Sequence, residues 1–293
     1  MKIIKGLVAI ILFTLNVFIL GGTIAILSLI KLIVPFEIFR HKISKLLLFL
    51  ADNWVAFNNF NIALTQNIKW EVEGLENLDI KSWYLVVSNH QSWVDIMVLQ
   101  KIFLGKIPFL KFFLKKQLIW VPILGPCWWG LDFPFMKRYT REFLEKNPHL
   151  KGKDLETTRA ACEKFKKMPI SVMNFLEGTR HTPTKHKLKK SPYKNLLPPK
   201  AGGFAFVLGA MGEYFNKIVD VTIYYPGEKK SFIDLIFGRI KTIKVKVKLL
   251  DIPKELVGDY QNDDSHRKEI QNFVNKWWHE KDQELESMKV IKS

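Results

Sequence analysis

At 293 residues, 48% of them apolar, the chain is long enough to bury a full core, and its composition excludes a disordered polymer. Its 45 Lys plus Arg against 28 Asp plus Glu give a formal net charge of +17, which calls for an anionic partner. The many Phe and Trp favour lipid over nucleic acid as that partner, and two unpaired cysteines, Cys127 and Cys162, argue against a disulfide framework or a zinc site and for a reducing compartment.

Residues 6–30 carry no charge and are rich in Ile and Leu. As a helix they would measure about 37 Å, enough to cross a hydrocarbon core of about 30 Å with some tilt. A single membrane span over residues 1–36 is the expectation. Gly21, Gly22 and Thr23 permit a bend, so a re-entrant pair in one leaflet is the alternative. A cleaved signal peptide fits less well, because no small-residue cleavage site follows. Lys31, Arg40, Lys42 and Lys45 after the run outnumber Lys2 and Lys5 before it, which places the remaining chain on the cytoplasmic side. Abundant Lys, Ile and Asn in a compact chain suggest a bacterium, and so an inner membrane. Over residues 37–65, Ile43, Leu46, Leu47, Leu50, Trp54 and Phe57 recur at helical spacing. This amphipathic helix either packs on the globular core or lies in the bilayer interface.

Residues 66–285 read as one α/β domain with a mixed, partly parallel sheet flanked by helices. Strands are predicted over 68–72, 83–88, 131–136, 169–175, 218–224 and 240–249, the last alternating Ile243, Val245, Val247 and Leu249 with lysines. Helices are predicted over 92–103 and 154–167. A closing helix shows Ile270, Phe273, Val274 and Trp277 on one face, capped by Asp263 or Asp264. Residues beyond Lys281 read as solvated, ending in a tail over 286–293.

The stretch Asn89-His90-Gln91-Ser92-Trp93-Val94-Asp95 follows a strand and opens a helix, so His90 falls in the turn between them. Asp95, one helical turn on, could accept a hydrogen bond from one imidazole nitrogen and leave the other free to take a proton. Ser92-x-x-Asp95 is equally a capping-box pattern, in which Asp95 bonds the backbone at the helix start. Three further segments follow. The first runs from Lys115 and Lys116 through Pro122 and Gly125 to Lys137 and Arg138. The second is Phe175-Leu176-Glu177-Gly178-Thr179-Arg180. The third, Leu197-Pro198-Pro199-Lys200-Ala201-Gly202-Gly203, closes a stretch with six lysines and no acid between His181 and Lys200. Ligands in open α/β sheets bind beyond the carboxyl ends of strands, where His90, Arg138 and residues 177–180 are expected. Gly178 would let the backbone approach a phosphate and Arg180 could bind it bidentately. Each segment also has a plainer reading, as surface charge or a solvated flap.

In this order the four blocks resemble the glycerolipid acyltransferases, the lysophosphatidate acyltransferase superfamily, over residues 68–227. The resemblance implies transfer of an acyl group from acyl-CoA or acyl carrier protein, as co-substrate, to a lysophospholipid hydroxyl, with no bound cofactor and no metal. It makes His90 the general base, oriented by Asp95, gives phosphate binding to Lys115, Arg138 and Arg180, and gives substrate positioning to Glu177, Gly178 and Thr179. Lys200 joins this substrate-binding set. Partners are then membrane lipids, the lysophospholipid and the acyl donor, with no nucleic acid. Two departures stand out: Leu176 replaces the family's proline in the third block, and Asp220-Val221 replaces Pro-Val in the fourth. Together with Leu197-Pro198-Pro199-Lys200, the latter resembles the branch containing lysocardiolipin acyltransferase and its bacterial relatives. The expectation is a 1-acylglycerol-3-phosphate acyltransferase. A lysocardiolipin or lysophosphatidylglycerol remodelling enzyme, a hydrolase and a non-catalytic lipid-binding protein are the alternatives.

Overall fold

The computed structural model describes residues 2–136, 146, 163, 168–227, 229–258, 260 and 263–290, and in it the apolar N-terminal run forms helix α1 (Lys2–Ile33). Residues Val17–Gly21 make a π turn, yet Gly21 and Gly22 keep right-handed helical dihedrals and the helix passes through them without reversing. The chain turns back at residues 34–36, and α2 (Glu37–Thr65) returns antiparallel along α1. Asn16 Nδ2 donates to Asn58 Oδ1 (2.8 Å) and the Trp54 carbonyl (3.1 Å), and Asn61 Nδ2 donates to the Ala9 carbonyl (3.1 Å).

Both ends of α1 also touch the globular body. Gly6 lies against the Phe237 ring, while Lys31 Nζ reaches the Gly130 carbonyl (2.8 Å) and Asp132 Oδ2 (2.9 Å). At 1.5 Å rise per residue these attachments stand about 37 Å apart, so α1 runs along the body instead of projecting from it. The helix is long and apolar enough to cross a membrane, and Ile4, Ile11, Phe18 and Leu29 on it are exposed. On α2, Leu47, Ala51, Val55 and Ile62 are buried whereas Leu46, Phe49, Phe60 and Leu64 are exposed. One side of the amphipathic helix therefore packs inward and the other stays open.

Strands β1 (Lys69–Glu73), β2 (Tyr84–Ser88), β3 (Leu110–Phe112), β4 (Leu114–Lys115), β5 (Phe135–Met136), β6 (Ser171–Phe175), β7 (Lys217–Tyr224) and β8 (Thr242–Leu250) follow. Six of them form a mixed sheet in the order β1-β8-β7-β2-β6-β3, antiparallel only between β7 and β8. Every residue of central β2 is buried, as a parallel strand covered on both faces requires. Helix α3 (Val94–Phe103) packs on one face through Val98, Leu99 and Phe103. The other face is covered by α6 (Ala201–Met211) and α8 (Asp264–Val290) through Phe204, Leu208, Val274 and Trp278. Short helices α4 (Leu124–Gly130), α5 (Pro183–Leu188) and α7 (Phe232–Ile236) lie in the connections.

Two predicted elements differ from the fold. The strand expected over 131–136 shrinks to Phe135–Met136 and pairs with β4 outside the main sheet, because Asp132 takes a positive φ and Pro134 lacks a donor. The segment beyond Lys281 is helix to Val290, with Leu285 and Met288 buried and Glu286 bonded to Lys194, not a solvated tail. Its apolar stripe simply continues past the polar residues. Asp263 does cap this helix, accepting from the Ser265 (2.8 Å) and His266 (3.1 Å) amides. The helix expected over 154–167 lies outside the described residues.

Candidate active site

Parallel register sets Ser88 of β2 level with Phe175 of β6 and Val221 of β7, so the residues just past these three strand ends meet. Asn89 fastens the junction: its amide donates to the Ile223 carbonyl (2.9 Å) and accepts from the Ile223 N–H (2.8 Å). The next side chain, His90, lies flat on Phe175 with ring centroids 3.9 Å apart.

Asp95 is fully buried and takes four donors. Its Oδ2 accepts from His90 Nδ1 (2.9 Å) and from the amides of Gln91 (2.6 Å) and Ser92 (2.8 Å), while Oδ1 accepts from the Tyr225 hydroxyl (2.6 Å). The carboxylate thus makes both contacts foreseen for it, to the imidazole and to the backbone at the helix start. A carboxylate ringed by donors requires Nδ1 to carry the proton, which leaves the lone pair on Nε2. The His90 side chain keeps 12% of its surface exposed, so the ring is reachable from outside. Burial and the Asp95 charge push the Tyr225 phenol well above its ordinary value, so it stays a donor. Tyr225 was not singled out from sequence; its only signal was its place just past β7.

Glu177 does not face outward as a substrate-positioning residue would. It is fully buried, and its oxygens accept from the His90 amide (2.7 Å) and the Leu197 amide (2.9 Å), bracing the histidine turn against the 191–200 segment. Burial pushes its carboxyl up to about 8, against the downward pull of those two amides. The unfolded chain releases this proton near 4.5 and the folded chain near 8. The folded state therefore binds the extra proton between those values, and its stabilising effect is full below the lower one and lost through the upper one. Chemical-denaturation midpoints taken from about pH 5 to about pH 8 should fall more steeply for the native protein than for Glu177→Gln. Parallel slopes would exclude Glu177 as the source.

Around this core stand cations. The Arg180 guanidinium lies 4.6 Å over the exposed Trp93 ring. Lys185 Nζ reaches Thr179 Oγ1 (2.7 Å) and the Arg180 carbonyl (3.2 Å). Gly178 has φ +64°, a left-handed turn that a side chain would strain, and the stem of Lys200 passes 3.4 Å from where its Cβ would sit. Burial and the neighbouring charge of Lys200 hold Lys189 below its ordinary range. The structure therefore gathers His90, Asp95, Glu177, Gly178, Thr179, Arg180 and Lys200. Lys115 is exposed on β4 and, among the described residues, makes no hydrogen bond or ion pair to this group, and Arg138 lies outside the described residues. Lys185, Tyr225 and Lys230 belong to the site without having been named from sequence, and Asn89 was named only as the start of the His90 stretch. The lysine-rich segment is no loose flap, since Tyr193, Leu196 and Leu197 are buried and α8 grips its backbone.

The sequence of residues 69–226, more than half of the chain, matches the family model Acyltransferase. Among curated proteins, the chain is 25% identical over 173 residues to 1-acyl-sn-glycerol-3-phosphate acyltransferase gamma of Mus musculus, covering 54% of this chain and 43% of the mouse protein. It is 27% identical over 249 residues to 2-acyl-1-lysophosphatidylinositol acyltransferase of Saccharomyces cerevisiae, covering 71% of this chain and 62% of the yeast protein. The matches thus span less than two thirds of each of these relatives. The crystal structure of the 1-acyl-sn-glycerophosphate acyltransferase PlsC of Thermotoga maritima superposes over the full length of both chains with a TM-score of 0.53 at 19% identity, and shares the fold. With the family model matching from β1 to the end of β7, and so across the His90 turn and the 175–180 turn, the chain belongs to the glycerolipid acyltransferase superfamily.

Proposed function

We propose that the chain moves a fatty acyl group from acyl-CoA or acyl carrier protein to the free sn-2 hydroxyl of lysophosphatidic acid, giving phosphatidic acid. The observation that carries this reading is His90, with Nδ1 committed to Asp95, a reachable ring whose Nε2 has no hydrogen-bond partner among the described residues, and cations alongside. A lipid hydroxyl is a poor nucleophile and needs a base on its proton as it attacks. His90 Nε2 takes that proton while the hydroxyl oxygen bonds to the thioester carbon. The C–S bond then breaks, and the imidazolium returns the proton to the leaving thiolate. No protein nucleophile is needed. Cys127 is not placed as one: its Sγ donates to the Gly21 carbonyl (3.2 Å), and burial pushes the thiol up to about 12. The open apolar side of α1 and α2 seats the domain at a membrane, where the lysophospholipid acceptor resides. Because α1 touches the body at both ends, the helix pair lies beside the domain in the lipid.

The yeast relative supports a second reading, a remodelling enzyme for lysophospholipids with a phosphodiester headgroup such as lysocardiolipin or lysophosphatidylglycerol. Labelled acyl-CoA and acyl carrier protein, each offered with a panel of lysophospholipids, separate the two. Phosphatidic acid as the dominant product upholds the first reading. Diester products favour the second, free fatty acid points to a hydrolase, and lipid binding without turnover leaves a non-catalytic binder. Arg180→Ala should raise KM for lysophosphatidate roughly tenfold and KM for the donor far less. Equal rises would remove Arg180 from the phosphate site.

A further inference from the structure

We infer that Lys230, on the loop between β7 and α7, grips the acceptor's phosphate together with Arg180 and makes the site prefer a phosphomonoester headgroup to a phosphodiester. The inference rests on the acyl-transfer reading above and sharpens its acceptor. Lys230 lies beyond the segment that matches the family model. Its Nζ donates to Gln91 Oε1 (2.6 Å), and its carbonyl accepts from the Ser92 hydroxyl. The residue is thereby tied at both ends to the turn that follows His90. Arg180 covers the next residue of the same turn, Trp93. Two cations borne on separate loops thus stand over three consecutive residues beside the base.

The ammonium of Lys230 is half-buried, and among the described residues its one hydrogen-bond acceptor is the neutral Gln91 amide oxygen. Asp95 is near enough to favour its charge, but both of its oxygens are already taken by other donors. An ammonium has three protons to give, so protons remain here for an incoming anion. Burial holds the group below its ordinary range, which makes an anionic partner worth more to it than to a solvated lysine. A phosphomonoester carries about −1.5 to −2 charges at neutral pH, against about −1 for a diester. Paired cations therefore gain most from the monoester.

The test compares the full-length native protein, Lys230→Met and Lys230→Arg in detergent micelles, with one acyl-CoA and two acceptors, lysophosphatidate and lysophosphatidylglycerol. Lys230→Met should lower kcat/KM for lysophosphatidate roughly tenfold or more, through KM, and change that for lysophosphatidylglycerol by less than about threefold. Lys230→Arg should recover most of the loss, and KM for acyl-CoA should hold. An equal loss with both lipids would mean that Lys230 only props the Gln91 turn and would overturn the inference, as would no loss at all. If the native protein acylates neither lipid, the acyl-transfer reading falls, and equilibrium binding of the same two lipids decides the role of Lys230. A preference for lysophosphatidate that vanishes in Lys230→Met upholds it, and unchanged binding overturns it.

Discussion

His90→Ala lowers kcat for acyl transfer about a thousandfold, while KM for either substrate moves by less than about threefold. A positioned base contributes on the order of 10²–10⁴ in rate, and among the described residues of this site no other group is arranged to take the hydroxyl proton. The substitution is also a clean one for the fold. Asp95 loses one of four donors and keeps the Gln91 and Ser92 amides and the Tyr225 hydroxyl, so its buried charge stays compensated. Near-UV circular dichroism should therefore match the native protein. Asp95→Asn should cost nearly as much by another route: an amide cannot accept on both sides, so either its NH2 faces Tyr225 and the imidazolium loses the negative charge beside it, or its NH2 faces His90 and the imidazole loses its fixed tautomer. Tyr225→Phe, which withdraws one donor and leaves His90 bonded, should cost less than either. A His90→Ala rate within tenfold of native, measured with labelled acyl-CoA, would mean that another group is the base.

What could be read in the sequence was whatever a short contiguous stretch encodes. Strand β2 announced itself because a doubly covered parallel strand must be apolar at every position, and β8 because its one buried face imposes alternation. The His90–Asp95 pair was visible for the same reason, both partners lying within six residues. Two roles were open for Asp95 because spacing cannot tell which oxygen meets which donor, and a carboxylate has room for both. The bracing contacts of Glu177 were not legible because its partners, the His90 and Leu197 amides, are backbone groups that carry no residue signature. Strands β3 and β4 are too short for a period to register. The end of α8 looked solvated because its buried acids are compensated from afar: Asp282 by the Lys194 and Asn195 amides, Glu284 by Thr222 and Lys248. Only the tertiary fold supplies such partners.

The departure at Asp220, where the family carries proline, is answered by Lys281 on α8, and breaking that pairing should give the largest loss of stability. Asp220 Oδ1 forms an ion pair with Lys281 Nζ (2.5 Å), and its Oδ2 accepts from Trp277 Nε1 (2.9 Å). Lys281 also donates to the Val221 carbonyl (2.9 Å) and Thr222 Oγ1 (2.9 Å), and both members of the pair are buried. Removing one partner of a buried pair strands the other charge, so Lys281→Met should cost about 3–5 kcal/mol. Replacing a whole pair with apolar groups of similar volume is often close to neutral, so Asp220→Val combined with Lys281→Met should recover most of that loss. Urea denaturation of the three proteins decides it: a single variant within about 1 kcal/mol of native, or a double variant no better than the single, would refute a coupled pair. The pair also reaches the chemistry. On the turn of α8 just before Lys281, Trp278 Nε1 donates to the Leu197 carbonyl (3.0 Å), and the Leu197 amide holds the Glu177 carboxyl that holds the His90 amide. Loosening α8 should therefore lower kcat in Lys281→Met at temperatures where the chain is still folded, and the double variant should restore the rate together with the stability.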